Sequence, residues 1–141
     1  LPARRELLAQ RPASGPVVLA VGAGTVLVID DERSVRTAVG RILARAGYEA
    51  LEAADGTEGL SIFQARAAEI DCVVVDLTMP GMGGLEVASM IRAIRPEVRV
   101  VVASGYDAES VAELAAEDYV FLHKPFTASQ LVEAIRPRHG S

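Results

Sequence analysis

Sulfur, aromatic rings and membrane-length apolar runs are all scarce in this chain. Its 141 residues include one cysteine, Cys72, which can form no intrachain disulfide and gives no sign of an oxidising compartment. Cys72 opens an apolar strand pattern and reads as a small buried hydrophobe. Tryptophan is absent, and tyrosine and phenylalanine number three each. The formal net charge is −5 and no face rich in lysine or arginine emerges. The chain therefore lacks the cationic surface and stacking platforms of a nucleic-acid binder, and direct binding of DNA or RNA is not expected. The uncharged stretch from Val17 to Ile29 is broken by Gly22, Gly24 and Thr25 and falls short of the roughly 18 apolar residues of a membrane span. Pro12 and the Ser14-Gly15-Pro16 run argue against Arg4-Arg5 as the start of a secretion signal. The expectation is a cytoplasmic segment that makes no membrane contact.

What is present is a globular composition, 50% apolar and 23% charged, in a length suited to one domain. Residues 1–24 stand apart as a linker or the tail of a preceding domain, because proline and glycine clusters interrupt regular structure there. The leucine start suggests a piece of a longer chain. The domain is expected over residues 25–137, leaving 138–141 as a C-terminal tail.

Inside it, apolar runs alternate with helical periodicity. Val26–Asp30 predicts a first strand. Val35, Ala38, Val39, Ile42, Leu43 and Ala46 then recur at helical spacing until Gly47. Tyr48–Ala53 predicts the second strand, and Asp55 with Glu58 starts a helix carrying Leu60, Phe63 and Ala67. Asp71–Asp76 is an apolar run of the kind covered on both faces. Leu85, Ala88, Ile91 and Ile94 mark a third helix ended by Pro96, and Val98–Ala103 the fourth strand. Asp107 opens a short helix with Val111, Leu114 and Ala115. Tyr119–His123 is the fifth strand, and Thr127 with Gln130 begins a last helix carrying Leu131, Val132 and Ile135. This alternation predicts an α/β fold, a doubly wound parallel five-stranded sheet with helices on both faces.

The chemistry-bearing residues sit at strand ends: Asp30 and Asp31 after the first strand, Asp76 after the third, Ser104 after the fourth and Lys124 after the fifth. In open sheets of this kind the site lies at the carboxyl ends of the strands. Three crowded carboxylates repel one another, and a divalent cation relieves that repulsion. All-oxygen ligands select magnesium or manganese over zinc. Asp31 and Asp76 are the expected direct ligands, with Asp30 acting through a water. A plainer use for Asp30 or Asp31 is capping the first helix; it would suffice for one aspartate alone, but not for a pair joined by Asp76 and Lys124. Asp76 is the candidate nucleophile, able to form an acyl phosphate. The roughly two negative charges this adds would be held by the metal and by Lys124. Ser104 offers a hydroxyl to a phosphoryl oxygen, and an ordinary turn serine is an equal alternative.

The segments "VLVIDDE", "VVVDLTMPGMGG", "VVASGY" and "FLHKPF", in this order across residues 25–137, resemble the receiver domain of response regulators, a CheY-like, flavodoxin-like (βα)5 class. The resemblance implies Mg2+-dependent transfer of a phosphoryl group from a histidine-kinase phosphohistidine to Asp76, and only self-phosphorylation and self-dephosphorylation as catalysis. It implies metal ligation by Asp31, Asp76 and the backbone carbonyl of Thr78, with Asp30 in support. It implies a phosphoryl contact from Lys124 and a cis Lys124-Pro125 bond. It also implies a switch in which Ser104 is drawn inward and Phe121 turns inward, remodelling the surface of the fourth helix, fifth strand and fifth helix; plain core packing is the alternative for Phe121. The implied partners are a histidine kinase or a histidine phosphotransfer protein, with a homodimer left open.

The sequence departs from the family in three places. Position 104 is Ser where the family often has Thr, the fourth helix looks short, and "AAEDYV" stands in place of Ala-Gly-Ala before the fifth strand. Thr78 and Tyr106 are expected to line the path of attacking water and set acyl-phosphate lifetime. Gly22–Gly24 precedes a strand rather than opening a helix and is no dinucleotide loop. His123 and His139 lack partners at ligand spacing. Gly81, Gly83 and Gly84 are too dispersed for a phosphate nest and read as loop mobility, and Glu109, Glu113, Glu117 and Asp118 as a wet helix face.

Two settings fit a receiver: a stand-alone regulator, or the C-terminal receiver of a hybrid sensor histidine kinase, which "LPAR" favours through its resemblance to the tail of a kinase ATP-binding domain. No effector domain is expected after the last helix. The alternative in another class is a Mg2+-dependent phosphatase of the aspartyl-phosphate type. It wants a second acid in an Asp-x-Asp pair, where this chain has Leu77 and Thr78. An interaction domain that is never phosphorylated is disfavoured by the strain of three crowded acids without a metal.

Overall fold

The computed structural model describes residues 24–105 and 119–136. The elements run β1 (Gly24–Ile29), α1 (Arg33–Arg45), β2 (Tyr48–Ala53), α2 (Gly56–Arg66), β3 (Ile70–Asp76), α3 (Gly84–Ile94), β4 (Arg99–Ser104), β5 (Val120–His123) and α4 (Ala128–Ile135). The helix expected after Asp107 lies outside the described residues, as do Tyr106, His139 and the acidic run from Glu109 to Asp118. The predicted fifth helix is therefore α4 here.

All five strands join one sheet in the order β2-β1-β3-β4-β5, every neighbouring pair parallel. The doubly wound expectation holds. Successive residues of a strand point to opposite faces, and here both faces are covered. Leu27, Ile29, Val73, Val75, Val100 and Val102 enter a core shared with Phe63 of α2 and Ile91 of α3. Val26, Val28, Val74 and Val101 turn the other way, onto Val39 and Leu43 of α1 and Leu131 and Ile135 of α4. The chain reverses its direction of travel across the sheet between β1 and β3, which leaves a crevice at their carboxyl ends.

The helix signals read from sequence are mostly realised. Gly47, at φ +94°, follows α1. The Asp55 side chain accepts the Glu58 N–H at 2.8 Å, while the Glu58 carboxylate accepts from Ala54 rather than from Asp55. Thr127 and Gln130 cap α4 reciprocally, at 3.1 and 2.9 Å. Two apolar positions assigned to buried stripes are instead exposed, Ala38 on α1 and Ile94 on α3; Ile94 is the last residue of its helix, where no neighbour covers it. Cys72 is buried as expected, and burial pushes its thiol up to about 12.

The reading of the glycines after Asp76 as loop mobility is corrected. Gly81 holds φ +79°, a left-handed turn that favours glycine. At Gly84 a Cβ would stand 2.2 Å from the Asp76 carbonyl oxygen and 2.7 Å from the Leu77 Cα. The N-terminus of α3 thus abuts the backbone that carries Asp76, and the Gly84 N–H donates to the Leu77 carbonyl at 2.9 Å.

Candidate functional site

The site is assembled by register. Ile29 of β1 lies level with Val75 of β3, Asp76 with Ala103 of β4, and Ser104 with His123 of β5. One residue further along, these strands deliver Asp30, Asp76, Ser104 and Lys124 to the same edge. Asp30, Asp31 and Asp76 each present a carboxylate oxygen such that all three lie within 4.8 Å of one another. Asp30 and Asp76 are buried and Asp31 is exposed.

Lys124 reaches into this group. Its Nζ stands 3.0 Å from Asp76 Oδ1 and donates to Asp30 Oδ2 at 3.1 Å. Its backbone N–H donates to the Ser104 carbonyl at 2.7 Å, which fixes the root of the side chain. Burial disfavours the ammonium, but hydrogen bonds and attraction from Asp76 and Asp30 outweigh it and the lysine pKa is raised. For Asp76 burial is the largest influence and pushes the carboxyl above its usual range; the Lys124 hydrogen bond opposes this, and Asp30 and Asp31 add to it. Burial thus works against the ionised form of Asp76, and added positive charge beside it would favour that form.

Neither aspartate of the pair caps α1. The N-cap is Glu32, with no side-chain cap bond. Asp30 Oδ1 accepts the Glu32 N–H at 2.9 Å, closing a local turn, and its other oxygen takes Lys124. Both oxygens of Asp30 are thus engaged within the protein, while Asp31 and Asp76 have oxygens that could take a ligand. A donor set of carboxylates alone, one of them facing solvent, fits a hard divalent cation that keeps part of its water shell.

The other sequence candidates fall as follows. Ser104 is buried at the end of β4. Thr78 is exposed in the loop after Asp76. Phe121 is half-buried on β5 against the core of α2 and α3. Lys124-Pro125 is cis, as the family resemblance implied. His123 is exposed. The sequence reading passed over Arg36, whose Nη1 donates to the Asp30 carbonyl at 2.7 Å and whose Nε lies 3.4 Å from the Glu52 carboxylate. The available signal was a basic residue one turn into the helix that follows a strand-end acid.

A family profile for the response regulator receiver domain matches residues 26–136. The chain is 36% identical over 117 residues to the sensor kinase CckA of Brucella abortus, a match covering 82% of this chain and 12% of that kinase's length. The crystal structure of a response regulator receiver domain protein from Clostridium thermocellum superposes with a TM-score of 0.74 at 35% identity, covering 79% of this chain and 90% of that one. The response regulator TrrA of Thermotoga maritima, solved in complex with Mg2+-BeF, superposes with a TM-score of 0.68 at 31% identity, covering 78% of this chain and 94% of that one. The five-stranded parallel sheet agrees with these matches, and the chain belongs to the response regulator receiver domain family of two-component signalling.

Proposed function

We propose that Asp76 accepts a phosphoryl group from the phosphohistidine of a histidine kinase or histidine phosphotransfer protein. An Asp76 carboxylate oxygen attacks phosphorus, and the P–N bond breaks. The electron pair stays on the imidazole nitrogen, which takes a proton from solvent. Asp31, Asp76 and the Thr78 carbonyl would hold Mg2+, with Asp30 acting through a water; the ion supplies positive charge to the phosphoryl oxygens. Lys124 neutralises the same oxygens from the other side, and the Ser104 hydroxyl donates to one of them. Release of that hydroxyl from its resting position makes room for Phe121 to turn inward, which carries the signal to the surface around β5.

The observation that carries this reading is the Lys124 ammonium at 3.0 and 3.1 Å from two of three clustered carboxylates. The Mg2+-BeF complex of a relative supports the choice of cofactor. The kinase match, which spans a small share of that protein, supports placing this unit, residues 25–137 with 1–24 as linker and 138–141 as tail, in a hybrid sensor kinase. Among the described residues no helix is long and apolar enough to cross a membrane, and a cytoplasmic position beside an ATP-fed kinase follows from the donor chemistry. A homodimer through the β5 side is compatible with this reading. A phosphatase would need a second acid to protonate its leaving group, and Leu77 and Thr78 supply none.

The test is intact mass after incubation with Mg2+ and acetyl phosphate. Wild type gains one phosphate and Asp76→Asn gains none. Absence of a Mg2+-dependent gain in the wild type would end the proposal.

A further inference from the structure

We infer that Arg36 is a positioning residue for the metal site, acting through the backbone of Asp30 rather than on the metal or the phosphoryl group. The inference rests on the phosphoacceptor reading above and adds a residue to it.

Every hydrogen-bonding group of Asp30 is engaged. Its N–H donates to the Ala53 carbonyl of β2 at 3.1 Å. Its Oδ1 accepts from the Glu32 N–H and its Oδ2 from Lys124. Its carbonyl accepts from Arg36 Nη1 at 2.7 Å. Asp31 comes next in the chain, exposed, on the turn between β1 and α1. The direction in which Asp31 offers its carboxylate is set by the peptide plane that joins it to Asp30, and the oxygen of that plane is the atom Arg36 holds.

The guanidinium is itself anchored. Its Nε lies 3.4 Å from Glu52 Oε1 on β2, and its side chain is 16% exposed. Val28 of β1 is level with Glu52, so the arginine ties the end of β1 to the neighbouring strand across the start of α1. A planar fork can serve the carbonyl and the carboxylate together, which an ammonium cannot do with the same geometry. Supporting contacts of this kind orient a metal's direct ligands, and their loss commonly lowers metal affinity about 10-fold or more.

Two explanations of Arg36 predict opposite signs. If the arginine acted only through its charge, removing a cation near three carboxylates would tighten binding of a divalent ion. If it positions Asp31, removing it weakens binding although the local charge becomes more favourable. The experiment is titration of the full chain with Mn2+, read as free ion by electron paramagnetic resonance. Alongside it, the half-saturating Mg2+ concentration for acetyl phosphate labelling is measured.

Arg36→Ala should bind Mn2+ about tenfold more weakly and need correspondingly more Mg2+, with the labelling rate at saturating Mg2+ nearly kept. Arg36→Lys retains the charge and one donor and should recover part of the loss, staying about threefold weaker than wild type. Thermal melts in EDTA check folding; if Arg36→Ala does not fold, Arg36→Lys decides alone, because only geometry differs in it. Unchanged or tighter Mn2+ binding in the folded variants overturns the inference. A wild type that neither binds Mn2+ nor labels overturns the phosphoacceptor reading instead.

Discussion

Lys124 and Asp76 form a 3.0 Å ion pair although their strands do not touch. β4 lies between β3 and β5 in the sheet, and the lysine passes over the end of that strand, with its backbone N–H held by the Ser104 carbonyl. It then meets Asp30 at the end of β1 as well. One side chain thus compensates carboxylates from two strands.

Removing that side chain should destabilise the metal-free protein by about 2 kcal/mol in Lys124→Met, less than for a fully buried pair because the lysine is partly exposed. Saturating Mg2+ should return at least half of the loss, since the ion supplies the missing charge. Urea denaturation in EDTA and in Mg2+ measures both. An equal loss under the two conditions would show that the lysine acts by packing alone.

The raised pKa of Asp76 fixes the sign of a pH effect. Its proton is held more tightly in the folded than in the unfolded chain, so ionising it costs stability. The cost is absent below the unfolded value of about 4, grows as pH rises towards the folded value, and is complete above it. In EDTA, Asp76→Asn should therefore raise the urea midpoint at pH 7, and the gain should fade as pH falls below the raised folded value and be gone at about 4, the unfolded carboxyl value. A gain of equal size at both pH values would mean that the carboxylate's charge is not its source.

Lys124 is the chain's only lysine, so an amine reagent reports on this site apart from the N-terminus. Its raised pKa and its two carboxylate partners keep the free amine scarce. Peptide mapping after acetic anhydride treatment at mildly alkaline pH should show slower modification of Lys124 than of a lysine in an unstructured peptide. Asp76→Asn should speed it. Equal rates in wild type and variant would show that Asp76 does not hold the proton on the lysine.

Gly84→Ala should cost about 2 kcal/mol, because its Cβ meets backbone that cannot rotate away. Gly83→Ala, whose Cβ finds only the Leu77 carbonyl at 3.8 Å, should cost less than about 1 kcal/mol as a weaker N-cap. Thermal melts of the two variants, one residue apart, separate close approach from helix propensity. Equal losses would assign the effect to propensity.

The strands and the strand-end acids were legible because burial on both faces leaves unbroken apolar runs, and a charge at the end of such a run stands out, as at Asp30, Asp76 and Lys124. Capping was legible where it is local, as at Asp55 and Thr127. Contacts that depend on sheet order were not legible. The meeting of Lys124 with both Asp30 and Asp76 requires β1, β3 and β5 in particular places, and alternation alone does not dictate them. Arg36 escaped notice because its target is a carbonyl, and main-chain acceptors carry no signature in the side-chain alphabet. Gly84 was misread because its neighbour is the backbone at Asp76, brought close only by the docking of α3. Ala38 and Ile94 followed the helical period yet face water, since the period marks a stripe and not where the stripe's cover ends.

The saturated hydrogen bonding of Asp30 has a consequence for near-isosteric replacement. Both partners of its side chain, the Glu32 amide and the Lys124 ammonium, are donors. An asparagine offers one acceptor and one donor, so either flip of its amide would set NH2 against N–H or against NH3+. The position demands two acceptors for steric and electrostatic reasons that hold before any ion binds, and Asp30→Asn fails there despite matching the shape.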